Sequence, residues 1–180
     1  MRVAIAGCGL IGRKRAEALR DEDRLVGCFD VVADAAAELA ATADAVACAS
    51  MAELLALEPD VVVVAVTHDR LTELAVEALD AGAHVLVEKP AGVSVAQIDA
   101  LSAASARAGR RVKVGFNHRF HPGIHRAIDE ARSGVHGDVL HLRARYGHGG
   151  RPGYDREWRA DAMRSGGGEI VDQGFHLLDL

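Results

Sequence analysis

The first twelve residues constrain this chain more than any other stretch. Arg2 to Ala6 (Arg-Val-Ala-Ile-Ala) reads as a short buried strand, and Gly7-Cys8-Gly9-Leu10-Ile11-Gly12 follows at once. Arg13 to Arg20 then reads as a helix. A G-x-G-x-x-G run also serves plain tight packing, but between a strand and a helix it marks a phosphate-binding turn. Gly7 permits the turn out of the strand, Gly9 lets a pyrophosphate approach the backbone, and Gly12 lets helix and strand pack closely. The free N–H groups and positive dipole end of the new helix face the phosphates. The motif therefore places Gly7, Gly9, Leu10, Ile11 and Gly12 against a dinucleotide.

Leu25 to Phe29 reads as the second strand and ends in Asp30, 18 residues after Gly12. The fold places an acid there on the ribose hydroxyls; a solvated strand-end Asp is the competing reading. Val31 and Val32 follow, not Arg or Ser. A carboxylate repels a 2′-phosphate and nothing beside it neutralises one, so NAD is favoured over NADP.

The rest of the first two thirds alternates. Helices are expected at 33–42, 51–57, 71–80 and 93–107, with a short third strand at 45–47 and further strands at 84–87 and 111–116. Asp60 to Val66 is an unbroken apolar run of β-branched residues, as in a central parallel strand buried on both faces. Strand–helix alternation specifies an α/β chain with a Rossmann-type, doubly wound parallel sheet. Ligands then sit at the carboxyl ends of the strands, where Val66, Thr67, Lys89 and Asn117 fall. We read residues 1–117 as an NAD(P)-binding domain.

Beyond Asn117 the pattern changes. A helix is expected at 122–132 and a strand of a different sheet at 138–146. An irregular stretch at 148–164 leads into a helix at 169–180, opened by Gly166-Gly167-Gly168. One clear strand does not make a stable sheet, and Leu177, Leu178 and Leu180 have nothing after them to bury them. The expectation is an incomplete α+β second domain over 118–180, in a fragment or in a chain that a partner completes, and a homo-oligomer if that domain is completed.

Charge is uneven. Residues 1–100 carry 8 basic and 17 acidic side chains, a net of −9, which argues against nucleic acid. Residues 101–180 carry 13 and 9, with seven of the nine histidines. That excess fits an anionic small ligand, although solvated surface arginines are the commoner explanation. No apolar run reaches the roughly 18 residues a membrane span needs, and no signal-peptide pattern precedes the glycine turn. Cys8, Cys28 and Cys48 lack metal spacing and read as small buried residues of a reducing, cytoplasmic environment.

Two groups carry chemistry. Asp172 and His176 are four apart on an expected helix and so share a face, which Asp179 continues. A carboxylate there orients an imidazole and stabilises its charged form; an ordinary surface pair is the other reading. Lys89, in Glu88-Lys89-Pro90, is one of three lysines against eighteen arginines. An ammonium at the sheet's ligand edge suits donation to a substrate oxygen, and a solvated loop lysine is the alternative.

The chain resembles the Gfo/Idh/MocA oxidoreductases, the glucose–fructose oxidoreductase and inositol dehydrogenase group. The resemblance rests on the glycine loop, Asp30, Glu88-Lys89-Pro90, residues 115–122 (Gly-Phe-Asn-His-Arg-Phe-His-Pro) and the segment 166–179 with Asp172, Gly174, His176 and Asp179. It implies an NAD-dependent dehydrogenase acting on a polyol, sugar or sugar nucleotide. By analogy Lys89, Asp172 and His176 would be catalytic. Val66, Thr67, Glu88, Lys89, Asn117 and Arg119 would contact the cofactor, and Trp158-Arg159 the cofactor or substrate. Arg143, Arg145 and Arg151 would meet a substrate phosphate or carboxylate. The family's Thr-Pro-Asn after the central strand is replaced here by Thr67-His68-Asp69. The same resemblance leaves open an NAD-dependent glycosidase, and the length leaves open a non-catalytic dinucleotide-binding module.

Overall fold

The computed structural model describes residues 1–147 and 152–180. Six short strands form one parallel sheet: β1 (Arg2–Ala6), β2 (Arg24–Phe29), β3 (Val46–Cys48), β4 (Val61–Val64), β5 (His84–Val87) and β6 (Val112–Val114). Their order is β3-β2-β1-β4-β5-β6, with every pair parallel. The chain steps outward one way from β1 and then the other way from β4. The β1/β4 junction is thus the point where a crevice opens above the sheet.

Alternation along the strands fills two cores. Ala4, Ala6, Val62, Val64, Val85 and Val87 face one side, with Leu71, Ala75 and Leu79 of α4 (His68–Asp80) and Leu101 and Ala104 of α5 (Val95–Ala108). Val3, Ile5, Cys28 and Val63 face the other, with Cys8 and with Ala36, Leu39 and Ala40 of α2 (Ala33–Ala41). The Val61–Val64 run is central, as its sequence requires, because both faces are covered. The three cysteines are free and buried. Between these elements lie α1 (Leu10–Glu17) and α3 (Met51–Leu55).

Four expectations need correction. α1 runs over Leu10–Glu17, three residues earlier than the expected 13–20, because Gly9 is already its N-cap. α4 begins at His68, not Leu71, because Thr67 is extended at the N-cap and Asp69 suits the first turn. After α6 (Pro122–Ser133), residues 138–146 form no strand. Nothing among the described residues pairs with them, and an unpaired strand has no ladder to hold it; Leu140 is 94% exposed. The terminal helix is not uniform either. After α7 (Ala162–Ser165), Ile170–Gly174 forms wide π-type turns before α8 (Phe175–Leu178). Among the described residues no helix is long and apolar enough to cross a membrane.

Candidate active site

The loops leaving β1, β2, β4, β5 and β6 surround a cleft of about 1120 Å³, closed on one side by Tyr146, Tyr154, Trp158, Asp172 and His176. Gly7, Gly9, Leu10, Ile11, Asp30, Val66, Thr67, Glu88, Lys89, Asn117, Trp158, Arg159, Asp172 and His176, all predicted from sequence, line it. Arg119 and Gly12 do not.

The glycine turn fits a dinucleotide. Gly7 has φ +97°, and a Cβ there would strike the Ala65 carbonyl. Gly9 faces open space, and as the N-cap of α1 it leaves the first-turn N–H groups without a side-chain cap. A Cβ on Gly12 would collide with the Gly7 carbonyl, so Gly12 packs helix on strand. Asp30 braces the turn: its carboxylate accepts from Cys8 N–H at 2.7 Å and from Val32 N–H at 2.9 Å. A carboxylate so held stands at the crevice edge in a fixed direction. In the turn after β6 (Asn117–Phe120), Asn117 and His118 line the cleft. Arg119 is taken by Asp179, with Nε to Oδ2 at 2.8 Å. Asp179 also acts on His176 through its charge, which favours the protonated imidazole.

Lys89 is the centre of the arrangement. Its ammonium donates to the Asp172 carbonyl oxygen at 2.5 Å and to Asp172 Oδ1 at 2.6 Å. Arg159 Nε lies 3.5 Å from the other carboxylate oxygen, which also accepts from Gln173 Nε2 at 3.1 Å. Burial pushes the Asp172 carboxyl up, but the Lys89 hydrogen bond and the charges of Lys89 and Arg159 outweigh it and hold Asp172 below the usual carboxylate range. Asp172 thus bonds Lys89 and makes no hydrogen bond to His176, although its charge still acts on His176 and favours the protonated imidazole, as expected.

His176 is 6% exposed and lies against His118, ring centroids 3.9 Å apart and 22° from parallel. The ring edges of Tyr146 and Phe116 complete its surroundings at 5.9 and 6.1 Å. Burial, then His118 and Lys89, push its pKa down to about 4. The imidazole is therefore neutral at pH 7, and its Nδ1 has no hydrogen-bond partner among the described residues.

Beside Lys89, Glu88 is nearly buried and accepts from Arg15 Nε of α1 at 2.6 Å. That bond ties the strand end bearing Lys89 to the helix behind the glycine turn. The Glu88 carboxylate lies over Gly115, where a Cβ would meet it at 2.9 Å.

Sequence reasoning did not pick out His68, His118, Tyr146 and Arg15, which also line the cleft. His118 lay inside a quoted motif, and the departure at Thr67-His68-Asp69 was the only signal for His68. Arg143 and Arg145 are exposed and do not line the cleft, and Arg151 lies outside the described residues.

A family model described as "Oxidoreductase family, NAD-binding Rossmann fold" matches residues 1–116. A second, the GFO/IDH/MocA C-terminal domain, matches residues 124–180. The myo-inositol dehydrogenase Hyg17 of Streptomyces leeuwenhoekii is 32% identical over all of this chain and 54% of its own length. The D-glucoside 3-dehydrogenase of Escherichia coli (strain K12) is 32% identical over 71% of this chain and 36% of its own. The crystal structure of an NAD-binding protein from Listeria innocua superimposes with a TM-score of 0.88, at 31% identity, over 99% of this chain and 52% of that one. The chain spans at most about half the length of these proteins.

Proposed function

The chain belongs to the Gfo/Idh/MocA oxidoreductase family, and from that premise we propose that it carries the cofactor site and proton-transfer groups of an NAD-dependent dehydrogenase of sugars, polyols or sugar nucleotides. Residues 1–117 serve as the cofactor domain, and the residues after them bring Asp172 and His176 to its edge. The observation that carries this reading is Lys89 of the Rossmann sheet, held through two hydrogen bonds by Asp172 beside an unprotonated His176 in one cleft.

NAD fits the glycine turn, with Gly9 and the start of α1 for the pyrophosphate and Asp30 for the adenosine ribose. When bound, it supplies the acceptor for hydride. The chain's own residues supply the rest. A substrate hydroxyl placed between Lys89 and His176 gives its proton to the imidazole, which is free to accept one at neutral pH. The Lys89 ammonium, held in direction by Asp172, donates to the same oxygen and stabilises the charge that develops there. Arg159 and Trp158, in cation–π contact at 4.5 Å, wall the cleft beside Asp172.

The test uses the full-length protein, NAD or NADP, and a panel of myo-inositol, simple glucosides and UDP-sugars, with NADH fluorescence as the readout. NAD-dependent turnover on at least one member, with NADP poorer, is expected. Tight NAD binding and glycoside cleavage without net NADH would replace the dehydrogenase with a glycosidase, and binding without either would leave a module that only binds the cofactor.

A further inference from the structure

His68 is the buried ionisable group for which the proposed chemistry has no use. It is the first residue of α4, is 4% exposed, and lines the same cleft as Lys89 and His176. Its Nδ1 lies 2.9 Å from the Ser165 carbonyl oxygen. A carbonyl oxygen only accepts, so Nδ1 carries the proton, and in the neutral ring Nε2 is left as an acceptor. The ring stands edge-on to Trp158, centroids 4.6 Å apart, which fixes its plane. Burial pushes the ring's pKa down, with Lys89 and Arg159 adding to that against the Ser165 carbonyl and Asp172, so the neutral form is the resident one.

Nε2 has no hydrogen-bond partner among the described residues. It lies 3.9 Å from Asp172 Oδ1, which is an acceptor too. Lys89 already answers Oδ1, so of the two acceptors facing this space Nε2 is the one left for a further donor. A hydroxyl suits that space, because it donates to one acceptor and takes up little room. Lys89 donates to the same Oδ1, so the space adjoins the ammonium that meets the reacting oxygen.

We propose that His68 Nε2 is a specificity-determining acceptor for a second substrate hydroxyl, on the carbon next to the one oxidised, so that the site selects vicinal diols. This rests on the polyol reading above. His68 Nδ1 anchors the ring to Ser165 and Nε2 reads the neighbouring hydroxyl. A substrate lacking that hydroxyl leaves the His68 Nε2 acceptor unanswered in a buried site, and sites built to bond a hydroxyl reject such analogues strongly.

The test compares wild-type full-length protein with His68→Asn on myo-inositol and methyl glucosides and on their monodeoxy analogues. Asn keeps an N–H near the position of Nδ1 for Ser165 and removes the acceptor at Nε2. The wild type should prefer the diol over the analogue that lacks the neighbouring hydroxyl by roughly tenfold or more in kcat/KM. His68→Asn should bring that preference to within about threefold, raising the KM for the diol with NAD affinity unchanged. An equal loss on diol and analogue would mean that His68 only docks the Trp158–Ser165 segment, and would overturn the proposal. The same ligands are read without turnover by the 15N resonances of the His68 ring, with NAD present. A shift at Nε2 on adding the diol but not the deoxy analogue, in a protein that forms no NADH, would sustain the subsite and refute the dehydrogenase. No shift with any of them would refute the subsite whatever the turnover.

Discussion

Residues 1–117 and residues 118–180 are held in place by opposite means. In the first stretch, β-branched strands and Leu- and Ala-rich helices bury their apolar faces on both sides of a sheet. In the second, the buried residues among those described are Ser165, Asp172 and His176, and all three are polar. Ser165 offers its carbonyl to His68, Asp172 grips Lys89, and His176 packs on the ring of Phe116. The first stretch is held by area removed from water, and the second by a few directed bonds to the first. Hydrophobic burial is non-directional and tolerates small shifts, whereas a buried ion pair is strongly destabilised when one partner is removed. The chemistry therefore sits where the fold has least to spare.

The largest effect should come from breaking the bond between the two stretches. Lys89→Ala leaves the Asp172 carboxylate buried with only Arg159 and neutral donors. Turnover should fall by about 10³-fold. Trp158, the single tryptophan, should lose its native fluorescence at a lower urea concentration than the far-UV signal of the sheet. Coincident transitions at the wild-type midpoint would show that the pair does not hold the second stretch.

The next effect contrasts the two stretches directly. Leu71, fully buried in α4, should cost about 2–5 kcal/mol on truncation to Ala. Leu140, almost fully exposed, should change stability by less than about 0.5 kcal/mol under the same substitution. Urea midpoints of the two variants check this, and similar losses would contradict the division drawn between the two stretches.

The smallest effect is that of pH. His176 is neutral when folded, with a pKa of about 4, but charges at its ordinary value of 6.5 when unfolded. The unfolded chain therefore binds more protons between those values, so stability is level above pH 6.5 and falls as pH drops toward 4. His68 acts in the same direction. The loss from His176 should be about 1–2 kcal/mol, since solvent in an open cleft screens part of it. Melting midpoints across that range measure it. His176→Ala should flatten the curve, and a curve already flat in the wild type would contradict a neutral buried ring.

What was legible in the sequence follows the same division. The strand–helix alternation, the glycine turn, Asp30 and Lys89 depend on neighbours in sequence and on periodicity, which a reader of residues has in hand. Asp172 and His176 were legible as residue types and a spacing. Their spacing says nothing of Lys89, 83 positions away, to which Asp172 is bonded. The strand expected at 138–146 alternates correctly but meets no partner, and pairing is not a local property. Arg119 and His68 exchanged roles for the same reason. Asp179 draws Arg119 away from the cleft, and the early start of α4 turns His68 into it.

The most direct test of the central claim measures NAD affinity by calorimetry and NADH formation in a single turnover on the same sample of full-length His176→Ala. A site assembled from a separate cofactor-binding stretch and an imidazole base predicts NAD affinity within about twofold of wild type and a rate lowered by about 10²–10⁴-fold. A variant that still turns over at the wild-type rate would contradict it and place the base elsewhere in the cleft.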